Sequence, residues 1–185
     1  MRLSRILFLL FTASTLACAE DLASSSFEKH HWVLEAWTAG GKGLSGTTKD
    51  TGLWTTGVRI GKQLNRSLEY DVEVVPAFMV FQDSTAVYGI NLTPALVKWN
   101  IRTKGKIVPY LEWGAGLLFT ASDVPDGTSS FNFTPQAGVG LQIFSREKRA
   151  VRIGFRYMHI SNGGLNRPNP GINTLQLMVG YEWFR

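Results

Sequence analysis

The chain has 185 residues, of which 44% are hydrophobic, with a net charge of +5, one cysteine and three histidines. This length suits a single domain, and a lone cysteine excludes an internal disulfide and a cysteine-rich metal site. The modest positive charge argues against a nucleic-acid partner, and no metal site is predicted, because the adjacent His30 and His31 would point to opposite faces of a strand.

The first 19 residues have the pattern of a secretory signal peptide. Two arginines precede an apolar run over 6–11, and the small residues Ala17 and Ala19 form a cleavage pattern. The run is too short for a spanning helix, which needs about 20 apolar residues. Lipoprotein processing at Cys18 is the other possibility, although the usual leucine three positions upstream is absent, since that residue is Thr15. We expect residues 20–185 to form one mature domain, and loss of the two arginines lowers its net charge from +5 to +3.

From residue 31 onward, hydrophobic side chains recur at every second position, which is the pattern of strands with one apolar and one polar face. The clearest apolar face is that of the last segment, at Leu175, Leu177, Val179, Tyr181 and Trp183. Eight such segments are predicted, at residues 31–40, 51–64, 67–82, 86–102, 106–121, 131–145, 149–162 and 172–184.

The connections between these segments alternate in length. Short polar turns are predicted at 65–66, 103–105 and 146–148, and longer loops rich in Gly, Ser, Pro and Asn at 40–50, 122–130 and 162–171. The link near 82–85 is too ambiguous to size. Strands that cross a bilayer must close on themselves to satisfy their backbone groups. We therefore predict an all-β fold, an eight-stranded antiparallel transmembrane β-barrel in a Gram-negative outer membrane, with both termini at the periplasmic rim.

The alternative fold is a soluble sandwich or lipocalin-like barrel, in which the apolar face would point inward. Charges of both signs on the polar faces instead favour a closed lumen filled by ion pairs, and aromatic residues near strand ends are typical of an interfacial girdle. Eight strands leave an interior only wide enough for side chains, so no pore is expected. The predicted lumen charges are Glu35, Arg59, Glu69, Asp71, Glu73, Lys98, Glu112, Arg152, Arg156 and Glu182.

A candidate catalytic group lies at the end of the seventh segment. Continuing its parity places His159 and Ser161 on the lipid face, near the outer-leaflet headgroups, and Asn173 has the lipid-face parity of the eighth segment. A bulge between 157 and 159 would reverse this placement. A histidine can take the proton of a serine hydroxyl, and a third group, here Asn173, can fix the tautomer of the imidazole.

Residues after the serine are candidates for holding a developing oxyanion. They are the backbone N–H groups of Asn162, Gly163 and Gly164, the side-chain amide of Asn162, and the loop residue Asn169. The alternative is that polar residues at a strand end only mark the water interface, and a His-x-Ser pair arises often by chance. The glycine pairs at 114–116 and 138–140 look like fragments of phosphate loops, but they lie inside strands, where close packing explains them better.

The segment 159–165, which reads His-Ile-Ser-Asn-Gly-Gly-Leu, and the following Pro-Asn-Pro-Gly-Ile-Asn at 168–173 resemble the signature of the PagL-type lipid A deacylases. The resemblance is specific over 157–184 and extends more loosely to the whole chain. It implies hydrolysis, without a cofactor, of the ester-linked 3-hydroxyacyl chain at position 3 of lipid A within lipopolysaccharide. It also implies that Ser161 is the nucleophile and His159 the base.

The chain departs from the family pattern at Asn173, where the pattern has a glutamate. An amide can orient the imidazole but cannot neutralise the imidazolium that forms, and Glu112 and Glu182 are poor substitutes because their parity places them in the lumen. Two alternatives therefore stay open. One is a non-enzymatic structural or lipid-binding outer-membrane barrel that has lost the acidic triad member. The other is a narrow channel, which the filled lumen argues against.

Overall fold

The computed structural model describes residue 23 and residues 25–44, 50–82, 85–101, 103 and 105–185. The predicted signal peptide and its cleavage site lie outside these residues. A 3-10 turn at Ser25–Phe27 precedes the first strand. None of the described residues belongs to a helix long and apolar enough to cross a membrane.

Eight antiparallel strands close into a barrel, which confirms the predicted fold class. They are β1 (Trp32–Gly43), β2 (Gly52–Gln63), β3 (Leu68–Gln82), β4 (Thr85–Asn100), β5 (Ile107–Thr120), β6 (Phe131–Arg146), β7 (Arg149–Ile160) and β8 (Ile172–Phe184). Each strand pairs with its neighbours in sequence, and β1 pairs with β8 to complete the cylinder. Every predicted strand boundary lies within three residues of the observed one.

The connections between consecutive strands lie at the two rims of the barrel. The turns after β2, β4 and β6 lie at the rim that also holds both ends of the barrel, where Trp32 N donates to Arg185 O at 2.8 Å. The loops after β1, β5 and β7 lie at the opposite rim, which we call the long-loop rim. Where the sequence left the size of a link open, the long strands β3 and β4 end and begin at Gln82 and Thr85, and both of these strand ends lie at the long-loop rim.

The strict alternation expected from the sequence breaks in β3 and in β4. In β3 the buried residues are odd-numbered up to Val75 and even-numbered from Phe78 onward, and the register with β4 shifts between these two residues. Pro76 lies at this shift, and Pro94 lies at the matching shift in β4. Proline cannot donate to the ladder and is therefore tolerated at bulges. The two prolines thus move the inward-facing parity by one residue.

Ion pairs fill the middle of the lumen. All ten charged residues assigned to the polar faces are 3% exposed or less. Glu112 is the hub, because its carboxylate lies 2.7 Å from Arg152 Nη1, 3.0 Å from Arg59 Nη1 and 3.1 Å from Arg156 Nη2. Arg156 also bonds Glu73. Because a buried charge is costly unless it is paired, these side chains hold one another in place and leave the barrel packed at this level.

Apolar side chains close the lumen on both sides of the charged layer. Toward the long-loop rim the cluster includes Leu53, Phe78, Leu118 and Ile160. At the other end, Phe27 packs edge-to-face on Phe144 and Phe184, with ring centroids 5.6 Å apart in both contacts. The interior is therefore a side-chain core, as the strand number predicts.

Glycines inside the strands make room for large lumen side chains. A Cβ atom on Gly138 would lie 2.9 Å from Glu112 Cγ, and one on Gly140 or Gly154 would lie within 2.6 Å of the Tyr110 hydroxyl. Real Cβ atoms do not approach other atoms so closely. The glycine pair at 138–140 therefore serves packing.

Candidate functional site

The register of β7 decides which way the predicted catalytic residues face. Its pairing with β8 runs without a break from Arg149 opposite Trp183 to Ile160 opposite Ile172. No bulge separates 157 from 159, so His159 keeps the outward parity of Tyr157. His159 lies directly opposite Asn173, and both side chains are therefore on the outer wall, near the long-loop rim.

Ser161 lies one residue beyond the end of β7 and still follows the strand geometry. It forms an isolated bridge with Phe133 of β6, in which Phe133 N donates to Ser161 O at 2.7 Å and Ser161 N donates to Phe133 O at 3.1 Å. By the same register Pro135 lies opposite His159. Because Pro135 has no N–H, the β6–β7 ladder is interrupted there. Ser161 is nevertheless held on the same outer face as His159.

Asn173 binds the imidazole of His159 through its side-chain oxygen. The distance from His159 Nδ1 to Asn173 Oδ1 is 2.7 Å, and the Tyr157 hydroxyl donates to the same oxygen at 2.7 Å. An amide oxygen only accepts, so in this arrangement the proton of the neutral imidazole is on Nδ1 and Nε2 is an acceptor. This is the tautomer that a base acting on a neighbouring hydroxyl requires.

Gly171 lies close to the imidazole ring of His159. Its φ is +65°, a left-handed conformation that favours glycine. A Cβ atom at this position would lie 2.7 Å from His159 Cε1 and 3.2 Å from His159 Nε2. The loop after β7 thus returns to β8 close to the ring edge that carries His159 Nε2.

The histidine and the serine are close in sequence and share a face, but they are not hydrogen-bonded. Among the described residues, none bonds His159 Nε2 or the Ser161 hydroxyl. Residues i and i+2 on a strand are roughly 6.5–7 Å apart along it. The Ser161 hydroxyl and His159 Nε2 therefore lie on one face of the wall, and no hydrogen bond among the described residues occupies either of them.

Asn162 organises the loop from the inside. Its side chain is fully buried. Asn162 Nδ2 donates to Asn166 O at 3.1 Å, and Asn162 Oδ1 accepts from Gly164 N at 2.9 Å. The backbone N–H of Asn162 donates to Asn169 Oδ1 at 3.2 Å. These bonds occupy the Asn162 amide and the N–H groups of Asn162 and Gly164, which were candidates for the oxyanion. In the described part of the chain, the Gly163 N–H and Asn169 Nδ2 have no such partner.

An aromatic strip borders Ser161 on the outer wall. The Phe119 and Phe131 rings are 5.0 Å apart, and Phe131 and Phe133 meet edge-to-face at 5.2 Å. A Cβ atom on Gly163 would lie 3.1 Å from the Phe133 ring, so the loop passes close to Phe133. Sequence reasoning missed this strip, and it placed Tyr157 only in the aromatic girdle. Within the described residues, no group of three His, Cys, Asp or Glu side chains is placed to hold a metal ion.

The fold and the outward-facing residues define an outer-membrane β-barrel with a polar site on its lipid-facing wall. The profile of the family described as "Lipid A 3-O-deacylase (PagL)" matches residues 31–182. The chain belongs to this family, which confirms the resemblance found in the sequence.

Two relatives carry the description "Lipid A deacylase PagL". That of Bordetella bronchiseptica (strain ATCC BAA-588 / NCTC 13252 / RB50) is 35% identical over 77 residues, which are 40% of this chain and 41% of the relative. That of Pseudomonas aeruginosa (strain ATCC 15692 and its equivalents, including PAO1) is 36% identical over 74 residues, 38% of this chain and 40% of the relative. The aligned segment thus spans about two fifths of each relative.

Similar solved structures are outer-membrane barrels. The outer membrane enzyme PagL superposes with a TM-score of 0.65 at 18% identity, over 79% of this chain and 97% of that one. Neisserial surface protein A gives 0.64 at 17% identity, over 82% and 96% of the two chains. At this level of identity the similarity concerns the fold.

Proposed function

We propose that this protein is an outer-membrane serine esterase that removes the ester-linked 3-hydroxyacyl chain from position 3 of lipid A. The observation that carries the proposal is the His159–Asn173 hydrogen bond on the outer wall, two residues from Ser161, in a member of the lipid A 3-O-deacylase family. The substrate is lipid A of the surrounding lipopolysaccharide, and the chemistry needs no cofactor.

In the first half of the reaction, Ser161 Oγ attacks the ester carbonyl carbon while His159 Nε2 takes the hydroxyl proton. The tetrahedral intermediate collapses by breaking the bond to the sugar oxygen, which receives the proton from His159. In the second half, water attacks the acyl-serine, His159 takes a proton from it, and the 3-hydroxy fatty acid leaves as Ser161 Oγ regains that proton.

Asn173 would orient His159 through this cycle. A side-chain amide with its oxygen toward the ring keeps Nδ1 protonated but supplies no negative charge to stabilise the imidazolium. In a serine protease the exchange of aspartate for asparagine lowered turnover about 10⁴-fold, partly because the tautomer was wrong, whereas cysteine proteases operate with a Cys-His-Asn arrangement. The 2.7 Å bond to Asn173 Oδ1 supports the productive tautomer here. We therefore propose a working triad with a weaker third member.

The developing oxyanion would lie near the start of the loop. The Gly163 N–H and Asn169 Nδ2 are the donors of that segment not engaged within it, whereas the other candidates bond one another. The acyl chain would lie along the aromatic strip of Phe119, Phe131 and Phe133, since this apolar surface begins beside Ser161 and faces the lipid.

The direct test is mass spectrometry of lipid A from Gram-negative cells that express the wild-type protein or its Ser161→Ala variant. We expect the wild type to remove one 3-hydroxyacyl chain and the variant to leave lipid A intact. Ser145→Ala is the matched control, because Ser145 is exposed on β6 far from the site. Intact lipid A in cells with correctly folded wild-type protein would contradict the proposal and favour the non-enzymatic, lipid-binding barrel.

A further inference from the structure

The oxygen of Asn173 accepts two hydrogen bonds, and only one of them comes from the histidine. The Tyr157 hydroxyl is the second donor, at the same distance of 2.7 Å. Tyr157 lies diagonally across the β7–β8 ladder from Asn173, because its direct partner is Leu175. A long aromatic side chain reaches such a diagonal neighbour. The three side chains therefore form one chain of contacts on the outer wall.

An asparagine in this position has a problem that a carboxylate does not have. Half a turn about its last side-chain torsion exchanges Oδ1 for Nδ2, which is a donor. If Nδ2 faced the ring, His159 Nδ1 would have to accept, and the imidazole proton would move to Nε2. A ring protonated at Nε2 cannot take a proton from Ser161. The amide thus supports base chemistry in only one of its two orientations.

His159 cannot select that orientation by itself, because a neutral imidazole donates or accepts at Nδ1 according to its tautomer. The Tyr157 hydroxyl breaks this symmetry. Its lone pairs are delocalised into the ring, so a phenol donates better than it accepts and favours the amide oxygen as its partner. At the lipid-facing wall the low polarity of the surroundings strengthens this preference.

We propose that Tyr157 is a positioning residue that holds the Asn173 amide with its oxygen toward His159 and thereby keeps His159 protonated on Nδ1. The kinetic consequence rests on the proposed function. The tautomer of His159 does not depend on the proposed function, so it can be measured even if the protein is not an esterase.

The first experiment is nitrogen NMR of the protein labelled with ¹⁵N-histidine in detergent micelles, in alkaline buffer, where imidazoles are neutral. The His159→Gln variant identifies the His159 signals among those of the other histidines. In the wild type we expect the shift pattern of a proton on Nδ1. In Tyr157→Phe we expect a mixture in which the Nε2-protonated form gains. The same tautomer in both proteins would overturn the proposal.

The second experiment is a double-mutant cycle with Asn173→Glu, measured as kcat and KM on lipid A in mixed micelles. Either oxygen of a carboxylate accepts from Nδ1, so the orienting role of Tyr157 disappears with the amide. We expect Tyr157→Phe to lower kcat roughly three- to tenfold beside Asn173, which is the range for loss of one hydrogen bond, and less than twofold beside Asn173→Glu. KM should change little.

Tyr88→Phe is the matched control, because Tyr88 is also an outer-wall tyrosine and its hydroxyl donates to a backbone oxygen, that of Pro76. It should leave kcat unchanged in both backgrounds. Equal loss from Tyr157→Phe in both backgrounds would assign Tyr157 a purely structural role and overturn the proposal. If all variants and the wild type are inactive, the proposed function fails, and the NMR comparison alone decides the role of Tyr157.

Discussion

The lack of space for a side chain between Gly171 and His159 leads to a prediction at the scale of single residues. In Gly171→Ala the new methyl group would lie 2.7 Å from His159 Cε1 and must displace the ring. A misplacement of about 1 Å in a reacting group can cost roughly 100-fold in rate. We expect deacylation by Gly171→Ala to fall by about that factor, measured by release of 3-hydroxy fatty acid from lipid A.

The control for this substitution is Gly127→Ala in the loop after β5. Gly127 also has a left-handed φ, +70°, but a Cβ atom there would meet nothing within 4 Å. Both variants carry the same backbone strain of about 1–2 kcal/mol. Only Gly171→Ala should lose activity, and similar activities in the two variants would show that the histidine tolerates displacement.

At this same scale, the sequence predicts which side of the wall each site residue occupies but not all of their contacts. The β7–β8 register has no break, so the alternation of side chains along each strand correctly predicts that His159 and Asn173 face outward. The Tyr157–Asn173 bond depends on the relative register of two strands, which alternation within one strand does not encode. The inward side of Asn162 follows from the same parity, but its hydrogen bonds to Asn166 O and Gly164 N depend on the fold of the loop and were likewise not predictable.

At the scale of the elements, Gly140 of β6 lies opposite Gly154 of β7, and Tyr110 occupies the space next to both. We therefore expect substitution of Gly154 to destabilise the barrel more than substitution of a strand glycine that has open space around it. A Cβ atom on Gly154 would lie 2.3 Å from the Tyr110 hydroxyl and 2.7 Å from Val139 O. We expect Gly154→Ala to lower the free energy of unfolding by about 1–3 kcal/mol, the usual cost of overpacking, measured by urea titration in detergent micelles.

Gly40→Ala in β1 is the matched variant, because Gly40 is also a strand glycine and a Cβ atom there meets nothing within 4 Å. Its unfolding midpoint should stay close to that of the wild type. A midpoint for Gly154→Ala as high as that of Gly40→Ala would mean that Tyr110 moves aside freely.

The number of strands and their order along the chain follow from the sequence because most of them alternate without interruption between turns. β3 and β4 are the exception. The parity switch at Pro76 and Pro94 cannot be counted from one strand alone, because a bulge is defined by the residue that its partner lacks. The 3-10 turn at Ser25–Phe27 was also missed, since a segment of three residues has no period to detect.

For the whole molecule, the charge network around Glu112 is the feature with the largest expected effect on stability. Glu112→Gln keeps the shape of the side chain but removes the charge that three arginines share. Removing one partner of a buried ion pair costs about 3–5 kcal/mol, so the urea midpoint should fall clearly. Glu28→Gln is the control, because Glu28 is exposed and its ion pair among the described residues is with His31, at 3.4 Å. Equal midpoints would show that the arginines are compensated without Glu112.

Because the lumen is filled from the charged layer to both ends, a substrate for the proposed site has no route through the barrel. It must arrive sideways within the membrane plane. The rate at which substrate meets Ser161 would then depend on the mole fraction of substrate in the outer leaflet. The concentration of substrate in the surrounding water would have little effect on this rate.

The three phenylalanines at the end of the lumen that holds the chain termini have a further consequence for the order of assembly. Phe27 precedes the first strand and Phe184 ends the last, yet both rings pack on Phe144. Residues so distant in sequence meet only after the loop-closure entropy of nearly the whole chain has been overcome. The trio is therefore complete only when the two ends of the chain have come together, as they do when β8 pairs with β1. In a sheet that has not yet closed, the apolar rings at this rim stay exposed. Their burial on closure favours the pairing of β8 with β1.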